Sequence, residues 1–295
     1  MNKFYIQIVL LLLSIYLCVN NKTLATEFAP NKYTKPKSKK SYPANDNIQG
    51  IYEKNKHLLC TNSEEITNAY NFMSDAFKQL EYHATSNEGY VLYHTYLRYD
   101  MDFYKKKHKN TEVEKVKYII KNPNKYNELL NRFWNPNGRN FFNPTSAKRK
   151  IVRVYGPNLV MIQQRFKKWP WSREKYFYAF AAIFQISKNK TMIVMASANI
   201  IDHNRKNKKY FENKIVESAN LFQAEIDSED DIRNGELKKM FVNLNGYIVE
   251  KKKKYIDITH VDSVNGIQIF INNNLFQQLI MNMVPFNKNV LLEKF

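Results

Sequence analysis

The side chains of this chain best suited to chemistry are two guanidinium groups and a dense run of aromatic rings, and what they suit is recognition rather than bond breaking. Arg153 and Arg173 offer planar, forked donors that match anionic oxygens. Trp134, Tyr155, Trp169, Trp171, Tyr176, Tyr178, Phe180 and Phe184 offer ring faces that pack apolar matter or attract a cation. Along one alternating stretch Tyr176, Tyr178, Phe180, Ala182, Phe184 and Ile186 share a face, and Phe177, Ala179, Ala181 and Ile183 share the other. Both faces mix small and large residues, so alternation leaves open which one points inward. Each aromatic also reads as ordinary core or rim packing. Arg173, just ahead of a strand, also reads as half of a structural ion pair, and Arg149 and Arg153, alternating along one strand, also read as a solvent-facing pair.

The chemistry that is missing narrows the reading further. The six histidines, His57, His83, His94, His108, His203 and His260, form no His-Glu-x-x-His pattern. There is no Gly-x-Ser-x-Gly elbow or phosphate-cradling loop, and only 7 glycines from which to build one. Asp227, Glu229, Asp230 and Asp231 cluster without the glycine or the spacing of a calcium loop, and read as a solvated turn. These absences point away from an enzyme, a cofactor or a metal. The formal net charge of +19 implies an anionic partner, either a phospholipid surface or nucleic acid. The lysine runs 105–107 and 251–254 fit either one.

Elements that could position these residues follow from pattern. Residues 1–25 have the parts of a secretory signal: Lys3, an apolar run, and a small-residue cleavage site at Leu24-Ala25-Thr26. A chain sent along that route meets membranes before it meets nucleic acid. Residues 26–62 carry five lysines between 32 and 40, broken by Pro30, Pro36 and Pro43, and read as a disordered basic linker able to tether to anionic lipid. With Cys18 in the leader, Cys60 has no internal partner. Apolar periodicity predicts helices over 63–86 and 123–133. Strands are expected over 90–104, 147–155, 159–166, 175–187, 191–199, 239–250 and 255–261, joined by short turns that make neighbours antiparallel. A long closing helix is expected over 269–292, with Phe276, Ile280 and Met283 on its apolar stripe. The fold class is therefore α+β, with a long antiparallel sheet whose hidden face the closing helix can cover.

The segment Trp169-Pro170-Trp171-Ser172-Arg173-Glu174-Lys175-Tyr176-Phe177-Tyr178 resembles the START-domain stretch in which Pro-Trp precedes Arg-Asp and an aromatic strand, with Glu174 in place of the aspartate. Asn131-Arg132-Phe133-Trp134-Asn135 is similar to the family's Arg-x-x-Trp-Asp, with Asn135 in place of the acid. Residues 262–268 resemble the family's Asp-x-x-Gly stretch before its lid helix, with Gly266 on the glycine. The likeness spreads over 63–295. The whole chain more specifically resembles the fam-a proteins of malaria parasites, in the leader ending Asn20-Asn21-Lys22-Thr23-Leu24-Ala25-Thr26-Glu27, the basic linker and the START-like body.

That resemblance implies a helix-grip fold, a curved antiparallel sheet wrapped around a long C-terminal helix. It implies a monomer holding one phospholipid, phosphatidylcholine above all, in an internal tunnel and moving it between membranes. The aromatic residues would then meet the choline, Arg153 or Arg173 the phosphate, and Phe276, Ile280 and Met283 the acyl chains. It also implies secretion to the parasite surface or the surrounding vacuole. Export to the host erythrocyte is left undecided, because Lys22 stands where the export signal has Arg and the acid lies one residue late. The alternative is a secreted interaction module that keeps this scaffold without transferring lipid.

Overall fold

The computed structural model describes residues 46–97, 100–135, 148–167 and 171–265. The leader, the lysine-rich segment, Trp169 and the expected closing helix with Phe276, Ile280 and Met283 lie outside them.

Helix α1 (Asp46–Lys54) and a 3-10 turn (Lys56–Leu58) come first. Both fall in the stretch read as linker, so for 46–62 that expectation is corrected. Ile48, Ile51, Tyr52, Leu58 and Leu59 supply enough apolar surface to pack this segment against the core. Helix α2 (Ser63–Thr85) starts where Asn62 Oδ1 accepts the Glu64 and Glu65 amides at 3.0 and 3.1 Å. Its buried stripe is Ala69, Phe72, Met73, Ala76, Phe77 and Leu80. Helix α3 (Tyr126–Trp134) follows a 3-10 turn opened by Asn122 and Pro123, and buries Tyr126, Leu129, Leu130, Phe133 and Trp134.

Strands β1 (Val91–Tyr96), β2 (Met101–His108) and β3 (Thr111–Ile120) precede α3. After it come β4 (Lys148–Gly156), β5 (Leu159–Phe166), β6 (Lys175–Ser187) and β7 (Lys190–Ala196). A long excursion follows, with β8 (Asn199–Ile201) paired in parallel to β9 (Gln223–Glu225) and a short helix α4 (Asp230–Arg233). Then β10 (Lys238–Lys239) runs alongside β6, and β11 (Phe241–Lys251) and β12 (Ile256–Asn265) close the described chain. The main sheet runs β1-β2-β3-β12-β11-β7-β6-β5-β4, antiparallel at every step of that path. The α+β class and the antiparallel sheet are as expected; β3, and in the excursion β8 and β9, are strands the pattern did not reveal.

Helix α2 lies on one face of the sheet, and α3, with α1 beside it, lies on the other. Leu80 of α2 comes so close to β11 that a Cβ on Gly246 would lie 2.6 Å from Leu80 Cδ2 and 2.5 Å from the Ile193 carbonyl oxygen, so only glycine fits there. On the opposite face Phe133 of α3 stacks on Tyr247 with ring centroids 4.2 Å apart, and the Tyr126 and Thr191 hydroxyls meet at 2.8 Å. These are called below the α2 face and the α3 face.

Candidate functional site

The two faces close to different degrees. On β6 Tyr176, Phe180 and Ala182, facing α2, are at 0% exposure, with accessible surface at Phe184 toward the strand's end; facing α3, Ala179 is also at 0%, but Phe177 keeps 6%, Ala181 8% and Ile183 4%. On β7 Met192 and Val194 are sealed against α2, while Ile193 keeps 5% and Met195 is partly exposed. Strand register sets Ala181 beside Met195, and Met195 beside Asn245 of β11. Solvent-accessible surface therefore persists in the middle of the sheet, where a methyl replaces a larger side chain.

From Asn245 a polar row crosses the α3 face. Asp262 stands opposite Asn245 and Glu114 opposite Asp262, with His260 opposite Tyr247 one pair along. Asn245 Nδ2 donates to Asp262 Oδ1 at 2.5 Å and lies 3.2 Å from His260 Nε2. Burial pushes the Asp262 carboxyl up to about 7 against the opposing hydrogen bond from Asn245. Glu114 is pushed up to about 7 by burial first and by the neighbouring Asp262 second. Burial holds His260 down to about 3. The row thus offers a neutral imidazole beside two carboxyls that are only about half ionised at neutral pH. Across the face, Arg149 Nε and a terminal nitrogen donate to Gln164 Oε1 at 3.0 and 2.8 Å. Burial lowers the Arg149 pKa, yet a guanidinium stays charged. On α3, Asn131 Oδ1 and Trp134 Nε1 are buried with no hydrogen-bond partner. Buried polar atoms of this kind are ordinarily paired, so each is open to a bound group or water.

Of the residues singled out from sequence, Trp134 belongs to this face. The alternation along β6 turns Tyr176, Tyr178, Phe180 and Phe184 to the α2 face instead. Phe180 sits edge-on to Phe72 at 4.7 Å and to Phe222 at 4.9 Å, and Phe184 edge-on to Phe77 at 5.1 Å. Tyr176 Oη donates to Asp202 Oδ2 at 2.9 Å, and Tyr178 Oη accepts from Gln163 Nε2 at 2.7 Å. Arg153 is taken as well: it donates to Glu65 Oε1 and to the Glu225 carbonyl, each at 2.7 Å. Tyr155 donates to the same Glu65 oxygen at 2.6 Å. The expectation that Arg149 and Arg153 share a side is corrected, because the β4–β5 register shifts between Ile151 and Arg153 and that bulge sends them to opposite faces. Arg173 donates to the backbone carbonyls of Glu236 at 2.7 Å, Leu237 at 3.3 Å and Gly235, which ties the excursion to the start of β6 rather than leaving a free phosphate ligand. Trp171 is 82% exposed. Asn245, Glu114 and Gln164 went unremarked in the sequence, His260 entered only among the histidines that form no metal-binding pattern, and Asp262 only as part of a family motif. The one available signal was apolar alternation continuing on both sides of each.

Sheet and helices together define an α+β domain built on a curved antiparallel sheet with a helix on either face. No protein-family model matches the chain, and no curated protein does. Among solved structures it is similar to the human StAR-related lipid transfer protein 5, at 10% identity and a TM-score of 0.47, covering 74% of this chain and 92% of that one. It is similar to human STARD10 at 10% identity and TM-score 0.43, covering 70% and 76%. The lipid transfer and protein localization domain of human StarD13 is similar at 12% identity and TM-score 0.43, covering 71% and 95%.

Proposed function

We propose that this protein binds one phospholipid on the α3 face of its sheet and carries it between membranes. The observation that carries the reading is the asymmetry at the middle of β6 and β7: the apolar α3 face keeps accessible surface at Ala181, Ile193 and Met195, whereas on the α2 face Phe180, Ala182, Met192 and Val194 are at 0% and accessible surface returns at Phe184 toward the strand's end. An amphiphile is complementary to an apolar face crossed by one polar row. Acyl chains gain about 0.8 kcal/mol for each methylene they bury, and a head group finds Arg149, Asn245 and the unpaired Trp134 Nε1. Phosphatidylcholine is the lipid we favour: Arg149 suits its phosphate and the rings of Trp134 and Tyr118 its choline, beside the partly ionised carboxyls of the polar row. This set replaces Arg153, Arg173 and the tyrosines of β6 as the proposed contacts. The leader over 1–25 supports delivery through the secretory route, where membranes are the available partner.

Native mass spectrometry of the purified chain after incubation with mixed phosphatidylcholine, phosphatidylethanolamine, phosphatidylserine and phosphatidylinositol vesicles tests this directly. One phospholipid per chain is expected, mostly phosphatidylcholine. Ala181→Phe should lose that lipid, and with it transfer from donor to acceptor vesicles, while remaining folded. A wild-type chain that emerges lipid-free removes the carrier reading and leaves an interaction module on this scaffold.

A further inference from the structure

One edge of the sheet is apolar and, among the described residues, uncovered. β1 ends the strand order, and Val91, Leu92 and Tyr93 are 62, 51 and 44% exposed, with Leu97 just beyond the strand at 86%. Val91 pairs with Lys105 and Leu92 with Tyr104, so apolar side chains leave the edge on both faces. One strand behind, about 4.8 Å away, β2 carries Lys105 and Lys107 on the α3 face and Lys106 on the α2 face. None of the three enters an ion pair among the described residues. The acids opposite them on β3 are Glu112 and Glu114, and burial has pushed Glu114 up to about 7. Two of them lie over rings instead: Lys105 Nζ is 5.5 Å from the Tyr93 centroid, and Lys106 Nζ is 5.2 Å from that of the 40%-exposed Tyr82.

We infer that this β1–β2 edge is a docking surface for an anionic bilayer. An apolar rim with ammonium groups set back on both of its faces matches a charged plane met edge-on. Val91, Leu92, Tyr93 and Leu97 enter between head groups while the lysines stand level with the phosphates. Tyrosine, apolar at its ring and polar at its tip, suits that depth. An extended peptide or a second copy pairing along β1 would use the free backbone edge and would have no need of lysines on both faces. The inference goes beyond lipid carriage and stands whether or not a lipid occupies the α3 face.

The test is flotation of the full chain with vesicles of phosphatidylcholine alone and of phosphatidylcholine containing phosphatidylserine, with hydrogen exchange followed over 91–97. Binding is expected on the serine-containing vesicles, weakened by salt and accompanied by slowed exchange over 91–97. Val91→Ser/Leu92→Ser/Leu97→Ser and Lys105→Gln/Lys106→Gln/Lys107→Gln should each weaken it at least about tenfold. Because the changed residues are at the surface, their urea midpoints should match wild type, and each should keep whatever lipid native mass spectrometry finds in the wild type. Unchanged flotation of the apolar variant, or unchanged exchange over 91–97 on binding, overturns the inference. So does an apolar variant that turns a dimer into a monomer without affecting flotation, which would make the edge a contact between copies. A wild-type chain that floats through this edge yet carries no lipid counts against the carrier reading alone.

Discussion

The two faces of the central sheet come from the same strands and the same alternation of side chains, yet they have been finished differently. On the α2 face Phe180 is ringed by Phe72, Tyr155 and Phe222, and the polar groups of β4–β6 are tied off: Tyr176 on Asp202, which also meets Lys239 at 2.8 Å, and Arg165 on Asp231 at 2.9 Å. Two buried atoms on this side lack partners as well, His83 Nε2 at the end of α2 and Ser218 Oγ in the 3-10 turn before Phe222. On the α3 face small residues sit mid-sheet, two polar atoms of α3 lack partners, and ionisable groups are held toward their neutral forms by burial. Close packing and satisfied polar groups make a face that stabilises the fold. Spare room and unsatisfied groups stabilise nothing by themselves and become useful when a ligand supplies what is missing.

The sharpest way to break the comparison is to remove one ring from each side of β6. Phe180→Ala should cost about 3–5 kcal/mol, because its three ring neighbours cannot collapse into the space. Phe177→Ala, on the accessible face, should cost about 1–2 kcal/mol less, since part of the volume it vacates adjoins surface already reachable by solvent. Urea denaturation of both variants in delipidated protein measures the difference. Equal costs would show that the α3 face is packed as tightly as the other, and the proposed room for lipid would go with it.

Adding volume probes the same contrast at smaller scale. Ala182 is sealed against α2, so Ala182→Phe should overpack and cost about 1–3 kcal/mol. Ala181→Phe, one residue away and facing α3, should cost under about 1 kcal/mol. A shared large penalty would mean that neither face has space. The expected pair of outcomes also keeps Ala181→Phe interpretable as a blocked site rather than a misfolded protein.

Much of the architecture was legible in the sequence, and the failures have physical causes. Helix α2 announced itself through a stripe from Ala69 to Leu80, and β4 through β7 through short turns and alternation. β3 was hidden because Glu112, Glu114, Lys115 and Lys117 interleave with Val113, Val116 and Tyr118, so charge masks a strand buried on both faces; Lys115 itself is 0% exposed, its ammonium 2.6 Å from the Ser86 carbonyl oxygen and 3.8 Å from the Tyr90 ring centroid. The face of β6 that looks toward α3 could not be read, because both of its faces mix rings and alanines and the decision lies with α2, whose Phe72 and Phe77 claim Phe180 and Phe184. Arg153 drew attention as a candidate phosphate ligand, but a single bulge in β4 turns it to the α2 face and leaves Arg149 on the α3 face. Residue type located the aromatic strand; only register and packing show which side of it a ligand could reach.

The smallest effect expected is one of pH, and it tests whether the polar row on the α3 face is held there at a cost. Asp262 has its carboxyl raised to about 7 in the folded chain by burial, above the value of an unfolded aspartate. A group raised on folding contributes stability that is complete below its unfolded pKa and is lost as pH climbs through the folded one. Asp262→Asn removes that dependence and keeps an oxygen able to accept from Asn245. The variant should match wild type near pH 4 and exceed it by about 1–2 kcal/mol near pH 8, a value well under the full shift because Glu114 shares the titration and buried sites relax. His260, held down to about 3, loses its contribution as pH falls below the unfolded histidine value, and Glu229, held to about 2 by hydrogen bonds from Lys150 and Gln163 that outweigh its burial, loses its own at still lower pH. Both are present in each protein and largely cancel in the difference. Urea midpoints of the two delipidated proteins across this range give the result directly. A variant less stable than wild type near pH 8 would mean that Asp262 is a satisfied structural anion, and the polar row would then belong with the sealed face rather than with a site waiting for a ligand.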